Sequence, residues 1–344
     1  MPDLVRYVSA IEAELRSAVR TDEPLLSDFY GWMQYHLGWA DENLHPALAD
    51  SGKRLRPVFC LLSCEMIGGQ FEPALPGAAA IELLHNFSLV HDDIEDGDKL
   101  RRHRATLWTL VGVPHAVNTG DALFALAQRQ LLRLAANGLP AERVLRASEI
   151  FQRTCIQIVE GQFLDMHGEQ MAQTGLAYYK QMVAGKTAAL LGAALAIGAC
   201  AASDDASIAR RYRELGVELG MAFQMADDIL GLWGDPNLTG KPAGADLRRK
   251  KKSLPIIFAQ SDPGELGTEM QHLFAQDEMS DNALTHVMQL MDAADIRRQA
   301  EREAEKHRHR ATRILTRIIA DGVASESAAN TLDELANSLT KREV

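Results

Sequence analysis

Apolar residues recur along most of the chain at the three- and four-residue spacing of one helix face, and no stretch shows the strict alternation that predicts a strand. The polar runs between them contain Gly, Pro, Asn and Asp, which end helices and begin turns. No repeat of fixed period and no Pro- or Ser-rich linker divides the chain. The pattern therefore predicts an all-α fold and a single domain over residues 1–344. The predicted helices span residues 5–20, 24–47, 53–68, 73–96, 116–137, 141–170, 177–202, 206–232, 253–261, 281–294, 296–320 and 325–341.

The longest break between predicted helices covers residues 234–245 and reads GDPNLTGKPAGA. This segment is rich in Gly and Pro and is too long for a simple turn. Long ordered loops of this kind often cover a binding site. The sequence therefore predicts a lid after the helix that ends near residue 232.

The composition describes a globular protein with a large core, since 47% of the 344 residues are hydrophobic and 24% are charged. A net charge of −11 argues against a general nucleic-acid binder. The most apolar run, residues 187–202, is rich in small residues and is too short for a confident membrane span. It predicts a buried helix, and we expect no membrane span.

The cysteines predict buried, reduced thiols. Cys60 and Cys64 lie four residues apart and could share a metal by spacing, but their neighbours are apolar and offer no His or second Cys pair. The first residues carry early acidic side chains and no long apolar core, so they do not predict a signal peptide. We therefore expect a cytoplasmic location.

Two acidic clusters, each at the end of an apolar helical run, carry the strongest chemical signal. The first contains Asp92, Asp93 and Asp96, and the second contains Asp227 and Asp228. Like charges four residues apart destabilise a helix by about 0.2–0.5 kcal/mol per pair, and no Lys or Arg is interleaved here. A solvated acidic helix end would explain one such cluster. Two clusters together predict a hard divalent cation such as Mg²⁺, which commonly shares its site with substrate phosphates.

Basic residues accompany both acidic clusters. Lys53 and Arg56 share one face at a predicted helix start, where the backbone already favours anions. Such residues could simply cover the surface. Next to carboxylates that bind a metal, they indicate diphosphate binding instead, because Arg binds phosphate oxygens bidentately and Lys adds a point charge. Further bases follow the two clusters at Arg101, Arg102, Lys241 and Lys251.

The order of these motifs resembles that of the trans-isoprenyl diphosphate synthases, and most closely the geranylgeranyl diphosphate synthase branch. The resemblance covers about residues 50–260 and is highly specific as a set. The segments that carry it are GKRLRP (52–57), LLHNFSLVHDDIEDGDKLRR (83–102), GKT (185–187) and FQMADDILGLWGDPNLTGKPAGADLRRKKKSLP (223–255).

The resemblance implies an all-α helical bundle around a deep central cavity, in a homodimer. The two acidic clusters would hold three Mg²⁺ ions on an allylic diphosphate. The positions that match metal ligands are Asp92, Asp93, Asp96, Asp227 and Asp228. The positions that match contacts to the allylic diphosphate are Arg101, Lys186, Thr187, Gln224, Lys241 and Lys251. The positions that match contacts to isopentenyl diphosphate are Lys53, Arg56, His85 and Arg102.

The implied reaction is a head-to-tail condensation of isopentenyl diphosphate with C5–C15 allylic diphosphates, with release of diphosphate. Metal and basic side chains would neutralise the charge that builds on the leaving diphosphate. No dedicated protein base is evident, and the family is thought to use the departing diphosphate for proton loss. The residues expected to act directly in catalysis are Asp92, Asp93, Asp96, Arg101, Lys186, Asp227, Asp228 and Lys241.

The second cluster departs from the family pattern, which usually reads DDxxD. Gly231 stands where the third acid is expected, and Asp235 lies one helical turn further on. Asp235 is a candidate for compensation, which unchanged Mg²⁺ dependence in Asp235→Asn would exclude. A second departure is RHRA at residues 102–105 in place of the common RRGRP.

The helix before the first cluster predicts the product length. Ser88 lies roughly 6 Å and Leu84 roughly 12 Å below Asp92 on the same side of the helix. Small Ser88 leaves the path open, and Phe87 beside it forms a partial wall, as an aromatic residue five positions before the motif does in the family. We predict a C20 product, geranylgeranyl diphosphate, with C15 farnesyl diphosphate as the alternative. Phe87 could instead pack between helices, with the floor of the cavity elsewhere.

Three rival functions are open to comparison. A class I terpene cyclase on the same fold is slightly favoured by Gly231, but it has no use for a second diphosphate site. A non-catalytic partner subunit would be expected to lose acids from the first cluster, which is complete here. A helical scaffold explains neither the paired carboxylates nor the paired bases. The synthase interpretation accounts for all of these features.

Overall fold

The computed structural model describes residues 4–50, 52–234, 244–276, 279–322 and 324–340. It confirms the all-α prediction. Within these residues the only strands are β1 (Leu100–Arg101) and β2 (Arg104–Ala105), which pair as a small antiparallel hairpin. The helices are α1 (Val5–Ala18), α2 (Ser27–His36), α3 (Leu55–Gly68), α4 (Leu75–Glu95), α5 (Leu107–Val111), α6 (Val113–Leu132), α7 (Ala141–Gln170), α8 (Leu176–Val183), α9 (Ala189–Ala202), α10 (Ala206–Trp233), α11 (Ala245–Arg248), α12 (Leu254–Gln260), α13 (Glu265–Ala275), α14 (Asp281–Ala293), α15 (Ile296–Ala320) and α16 (Glu326–Thr340).

Most predicted helices match in position, and the exceptions have local causes. The helix predicted over 24–47 ends at His36, because Gly38 and Leu44 have left-handed φ angles of 83° and 63° and the chain turns back there. Helix α6 begins three residues earlier than predicted, with Pro114 in its first turn, where a missing N–H costs nothing. Helices α5, α11 and α13 were not predicted, since the first two span only five and four residues and the apolar face of α13 is short.

The helix predicted over 177–202 contains a π-helical turn, Ala184–Ala188, between α8 and α9. This turn packs against α7 with almost no space between the two backbones. A Cβ at Gly161 would lie 2.1 Å from the Lys186 nitrogen, and a Cβ at Gly185 would lie 2.6 Å from the Gln157 carbonyl oxygen. Both glycines are therefore required for the contact. π-turns of this kind often occur at functional sites.

Helix α9 lies at the centre of the fold, between α3, α7 and α10. Within the described residues, one helical run, Leu176–Ala202, is long and apolar enough to cross a membrane, but 83% of its apolar window is buried inside the protein. A Cβ at Gly198 would lie 2.0 Å from the Cys60 carbonyl oxygen of α3. Small residues thus let α9 pack closely on its neighbours, as the sequence predicts for a buried core helix.

Apolar side chains beneath the second acidic cluster hold its helix in place. Met225 and Ile229 of α10 pack with Tyr179 of α8 and Leu254 of α12 in one buried group. Leu232, at the end of α10, belongs to a neighbouring buried group that also includes Leu247 of α11. These contacts fix the last turns of α10 against α8, α11 and α12.

Candidate active site

The first acidic cluster lies at the C-terminal end of α4, where its three aspartates differ in exposure. Asp92 is half-buried, Asp93 is buried and Asp96 is exposed. Asp93 Oδ1 accepts a hydrogen bond from Nε of Arg101 at 2.7 Å. Arg101 lies on β1, so the small hairpin places this guanidinium against the helix end. The structure thus brings together Asp93 and Arg101, which lie eight residues apart in the sequence.

The first cluster favours nearby positive charge. Burial raises the pKa of Asp92 to about 6, while Lys186 opposes that rise. Burial also raises the pKa of Asp93 to about 6, and here Arg101 opposes it. A raised pKa means that burial disfavours the ionised form of the carboxylate. A cation nearby therefore stabilises the ionised form of each of these side chains.

Lys186, in the π-turn, connects the first cluster to a carboxylate that sequence reasoning missed. Its Nζ donates to Asp165 Oδ2 at 2.5 Å, and its charge also interacts with those of Asp92 and Asp96. Asp165 lies on α7, near the buried Gln162, which donates to Glu95 of α4 at 2.7 Å. Glu169 lies four residues after Asp165 on α7, the spacing of Asp92 and Asp96, so the sequence did contain a signal. The packing of α7 on the π-turn shows that Asp165 lies against Lys186.

The second acidic cluster divides into an exposed and a buried member. Asp227 is exposed, whereas Asp228 is buried with both carboxylate oxygens bonded. Asp228 accepts hydrogen bonds from Gln224 Nε2 at 2.9 Å, from the Tyr179 hydroxyl at 2.6 Å and from the Leu254 backbone N–H at 2.9 Å. The hydroxyl of Thr187 donates to Gln224 Oε1 at 2.8 Å and joins the π-turn to this network.

The charges of the second cluster and of Asp165 act on Tyr179. Burial raises the pKa of Asp228 to about 7, although its three hydrogen-bond donors oppose the rise. Burial also raises the pKa of Tyr179 well above its usual value, and the charges of Asp228, Asp227 and Asp165 add to this effect. Tyr179 therefore remains a neutral donor that holds Asp228 in one orientation.

The carboxylates fit a cation that brings further ligands of its own. Among the residues that the structure describes, no three His, Cys, Asp or Glu side chains are close enough to form a complete metal cluster. However, Asp93 Oδ2 is buried without a hydrogen-bond partner, and all the acidic side chains offer oxygen donors. This donor chemistry suits Mg²⁺, which binds through one or two carboxylates together with waters and phosphates.

A basic cleft adjoins the first cluster and contains the residues predicted to hold isopentenyl diphosphate. A Cβ at Gly52, whose φ is +82°, would lie 2.7 Å from Nη2 of Arg102, so the glycine allows this guanidinium to lie against the backbone. Arg56 Nη1 lies 3.1 Å from His85 Nε2. Lys53 is exposed beside Gly52. The structure thus brings Arg102 to the start of α3, and α4 supplies His85.

His85 is a neutral acceptor in this cleft. Burial lowers its pKa well below the usual value, and the charges of Arg56 and Arg102 lower it further. A neutral imidazole can accept the Arg56 hydrogen bond, which orients the guanidinium. The cleft therefore keeps its positive charge on arginine and lysine.

Arg54, between two of the predicted binding residues, has a different role. Its side chain is buried and bonds to Glu12 at 2.8 Å, to Glu82 at 2.7 Å and to the Leu37 carbonyl oxygen at 3.0 Å. Its φ of 48° turns it away from Lys53. Of the three cations in the motif GKRLRP, Arg54 therefore has a structural role, and the other two, Lys53 and Arg56, belong to the basic cleft.

The basic run at residues 248–252 is mostly engaged in contacts within the protein. Arg248 pairs with Asp281 at 2.5 Å, and Arg249 pairs with Asp98 at 3.2 Å. Lys252 is buried and donates to the Ala172 carbonyl oxygen at 3.3 Å. Lys251 is half-buried, and its charge interacts with that of Glu169 at the end of α7. These contacts argue against a nucleic-acid patch. Lys241 and Asp235 lie outside the described residues.

The predicted product path follows α4 below the first cluster. Phe87 is half-buried and packs against Phe124 of α6, with ring centroids 5.0 Å apart, and against His91 at 4.8 Å. Leu84 is fully buried in the main core, and the Ser88 hydroxyl donates to the His85 carbonyl oxygen at 2.8 Å. Phe87 therefore packs between α4 and α6, as in the alternative interpretation, and its role in limiting the product length remains a prediction.

Two pockets open within the basic cleft. One is polar and is lined by Asp93, Arg101 and Arg102. The other is mostly apolar and is lined by Arg56, Thr187 and other residues. The lining of the first pocket matches the chemistry of diphosphate and that of the second matches an apolar chain, while the deep central cavity remains a prediction.

Comparison with known proteins identifies the family. The sequence profile of the polyprenyl synthetase family matches residues 38–300, which include both acidic clusters and the basic cleft. The chain belongs to this family. Its resemblance to isoprenyl diphosphate synthases, first evident from the motifs, is thereby confirmed.

Individual relatives show how far the similarity extends. The chain is 36% identical to (2E,6E)-farnesyl diphosphate synthase from Mycobacterium tuberculosis over 315 residues, which cover 90% of this chain and 85% of that protein. It is 44% identical to geranylgeranyl diphosphate synthase from the same organism over 242 residues, 70% of this chain and 67% of that protein. The crystal structure of a polyprenyl synthetase from Streptomyces coelicolor A3(2) superimposes with a TM-score of 0.87 at 35% identity, over 97% of this chain and 98% of that one. The protein is therefore a trans-prenyltransferase of the diphosphate synthase class.

Proposed function

We propose that this polyprenyl synthetase condenses isopentenyl diphosphate with C5–C15 allylic diphosphates to give geranylgeranyl diphosphate, within a single helical domain. One observation carries the proposal: two separate basic sets accompany the carboxylates. Arg101 pairs with Asp93, and the charge of Lys186 interacts with that of Asp92, whereas Arg56 lies against His85 and Arg102 lies against the backbone at Gly52. An enzyme that joins two diphosphate substrates needs both sets. The test is incorporation of labelled isopentenyl diphosphate into a longer prenyl diphosphate.

The chain's own residues bind and orient the two substrates. Arg101 and Lys186 are placed to neutralise the allylic diphosphate as its C–O bond breaks. Arg56 and Arg102 hold isopentenyl diphosphate so that its double bond lies near the cationic carbon that forms, which replaces an encounter in solution by a fixed alignment. Apolar side chains below the clusters exclude water from that cation.

We propose that the acidic clusters hold Mg²⁺ and that their aspartates have different roles. Mg²⁺ would supply charge neutralisation on the diphosphate oxygens. Asp92, Asp96 and Asp227 present half-buried or exposed carboxylates for this purpose. Asp93 would offer its unpartnered Oδ2 while its Oδ1 stays on Arg101, and Asp228, bonded to three donors, would fix the position of Asp227. Three ions would match the number implied by the family resemblance.

The C20 product length rests on the aromatic wall of Phe87 and Phe124. Relatives of this chain carry names for both C15 and C20 products, so the family alone does not decide between them. Ser88 leaves the side of α4 below Asp92 open, and the aromatic pair beside it limits further growth. Replacing Phe87 with alanine is expected to shift the main product from C20 to C25 or longer, because the wall loses one ring.

Product chromatography checks this expectation, with Phe29→Ala as the control, since the ring of Phe29 on α2 packs with those of Tyr30 and Trp32. The control should leave the product distribution unchanged. An unchanged product in Phe87→Ala would refute a role for this residue in chain length.

We propose a homodimer formed through α7. This helix exposes a row of large apolar side chains: Ile156, Val159 and Phe163 are 60%, 58% and 62% exposed. They follow one face of the helix, and a contiguous apolar row of this kind normally lies at a protein interface. Sedimentation equilibrium should give twice the chain mass for the wild type. Phe163→Glu should shift it toward a monomer, and a monomeric wild type would contradict the proposal.

We place the enzyme in the cytoplasm. All four cysteines are buried and unpaired, in keeping with a reducing compartment. Burial raises the pKa of Cys60 well above its usual value, which keeps this thiol protonated and unreactive.

A further inference from the structure

The second acidic cluster lacks a third acid on its own helix. Asp227 and Gly231 are four residues apart on α10 and therefore lie on the same face. The Asp227 side chain is exposed on this face. A group that fills the space beside Gly231 is consequently presented on the same side as the Asp227 carboxylate.

The carboxylate of Asp246 fills that space. A Cβ at Gly231 would lie 2.3 Å from Asp246 Oδ2, 2.8 Å from Cγ and 3.3 Å from Oδ1. No residue with a side chain fits at position 231 while Asp246 keeps this position, because real Cβ atoms do not approach other heavy atoms so closely. Only glycine here lets the carboxylate lie directly against α10.

The backbone on both sides of Asp246 is fixed. The N–H of Gly244 donates to the Leu232 carbonyl oxygen at 3.1 Å, and the N–H of Lys251 donates to the Asp246 carbonyl oxygen at 3.0 Å. The next residue, Leu247, is completely buried in the same apolar group as Leu232. The packing of α11 on the end of α10 thus holds the backbone of Asp246 beside Gly231.

We infer that Asp246 supplies the third carboxylate of the second acidic cluster, delivered from the segment after the predicted lid instead of from α10 itself. This inference rests on the proposed function, since it assigns Asp246 to the Mg²⁺–diphosphate site of that reaction. Gly231 and Asp246 then form one complementary pair. The acid that is absent from position 231 is supplied from position 246. Asp246 acts as a positioning residue that adds negative charge beside Asp227.

The experiment measures binding without turnover. The metal-free protein is titrated with Mg²⁺ in the presence of inorganic diphosphate, and the thermal midpoint Tm is followed. Asp246→Asn is expected to raise the Mg²⁺ concentration for the half-maximal Tm increase about tenfold, the size seen when groups that support metal ligands are removed. The matched control is Asp281→Asn, which removes an acid paired with Arg248 of the same short helix and should leave that concentration unchanged.

Moving the acid from position 246 to position 231 separates the effect of its charge from its effect on the structure. Gly231→Asp alone is expected to lower the Tm of the metal-free protein, because two carboxylates then compete for one space. The double variant Gly231→Asp with Asp246→Ala should bring the Mg²⁺ requirement back to within about threefold of the wild type, since the acid returns to α10.

Two results would overturn the inference. One is an Asp246→Asn variant whose metal-free Tm falls while its Mg²⁺ requirement is unchanged, which would make Asp246 purely structural. The other is a double variant no better than Asp246→Asn. A wild type that shows no Mg²⁺-dependent Tm increase with diphosphate would instead contradict the proposed function together with this inference, so the two failures are distinguishable.

Discussion

Replacing Asp92 with asparagine is expected to lower kcat by about 1,000-fold, the size of effect seen when a preorganised charge-stabilising group is removed. Asp92 is half-buried, and its charge interacts with that of Lys186. The substitution keeps the shape of the side chain and removes the negative charge that would hold Mg²⁺, so the loss would fall on the neutralisation of the leaving diphosphate by that ion. The measurement is the steady-state rate with saturating substrates across a range of Mg²⁺ concentrations.

The control for Asp92→Asn is Glu95→Gln. Glu95 is an acid three residues further along α4 whose side chain accepts a hydrogen bond from Gln162 at 2.7 Å. A glutamine there keeps an acceptor oxygen, and we expect kcat within about threefold of the wild type. Equal losses in both variants would mean that general negative charge at the helix end matters, and would contradict a specific role for Asp92.

Replacing Arg54 with methionine is expected to lower the free energy of unfolding by about 3–5 kcal/mol, the usual cost when one partner of a buried ion pair is removed. The change leaves Glu82 buried without its cation, and Glu12 loses its 2.8 Å bond. The Leu37 carbonyl oxygen also loses its donor. Denaturant titration measures the effect.

Lys53→Met is the matched control for this prediction because Lys53 is the exposed neighbour of Arg54. It should change the free energy of unfolding by less than about 0.5 kcal/mol, as is usual for surface substitutions. It should also raise the KM for isopentenyl diphosphate, since Lys53 belongs to the proposed binding set. A stable Arg54→Met protein with weakened substrate binding would show instead that Arg54 faces the cleft.

The sequence was sufficient to predict the fold class and to mark a candidate site. Helical periodicity identified the long helices, and the paired acids and bases marked both clusters, because these signals are local in the chain. Asp165 was missed for a different reason: its partner Lys186 lies 21 residues away in the chain and reaches it through close backbone packing at Gly161, although Glu169 accompanies Asp165 at a spacing of four.

Burial likewise separates residues that look equivalent in the sequence. Asp227 and Asp228 are adjacent, yet one is exposed and the other is enclosed by Tyr179 and Leu254. Lys53 and Arg54 differ in the same way. The direction of a side chain depends on which side of the helix faces the core. A short sequence motif does not contain this information. The relation between Gly231 and Asp246 could not be predicted because it joins two segments across the predicted lid.

The most direct test of the central claim is product analysis. The purified protein is incubated with Mg²⁺, labelled isopentenyl diphosphate and, in turn, the C5, C10 and C15 allylic diphosphates. We predict that label appears in a C20 prenyl diphosphate with release of diphosphate. Conversion of an allylic diphosphate to a hydrocarbon or an alcohol, without incorporation of label, would contradict the account and indicate a cyclase on the same fold.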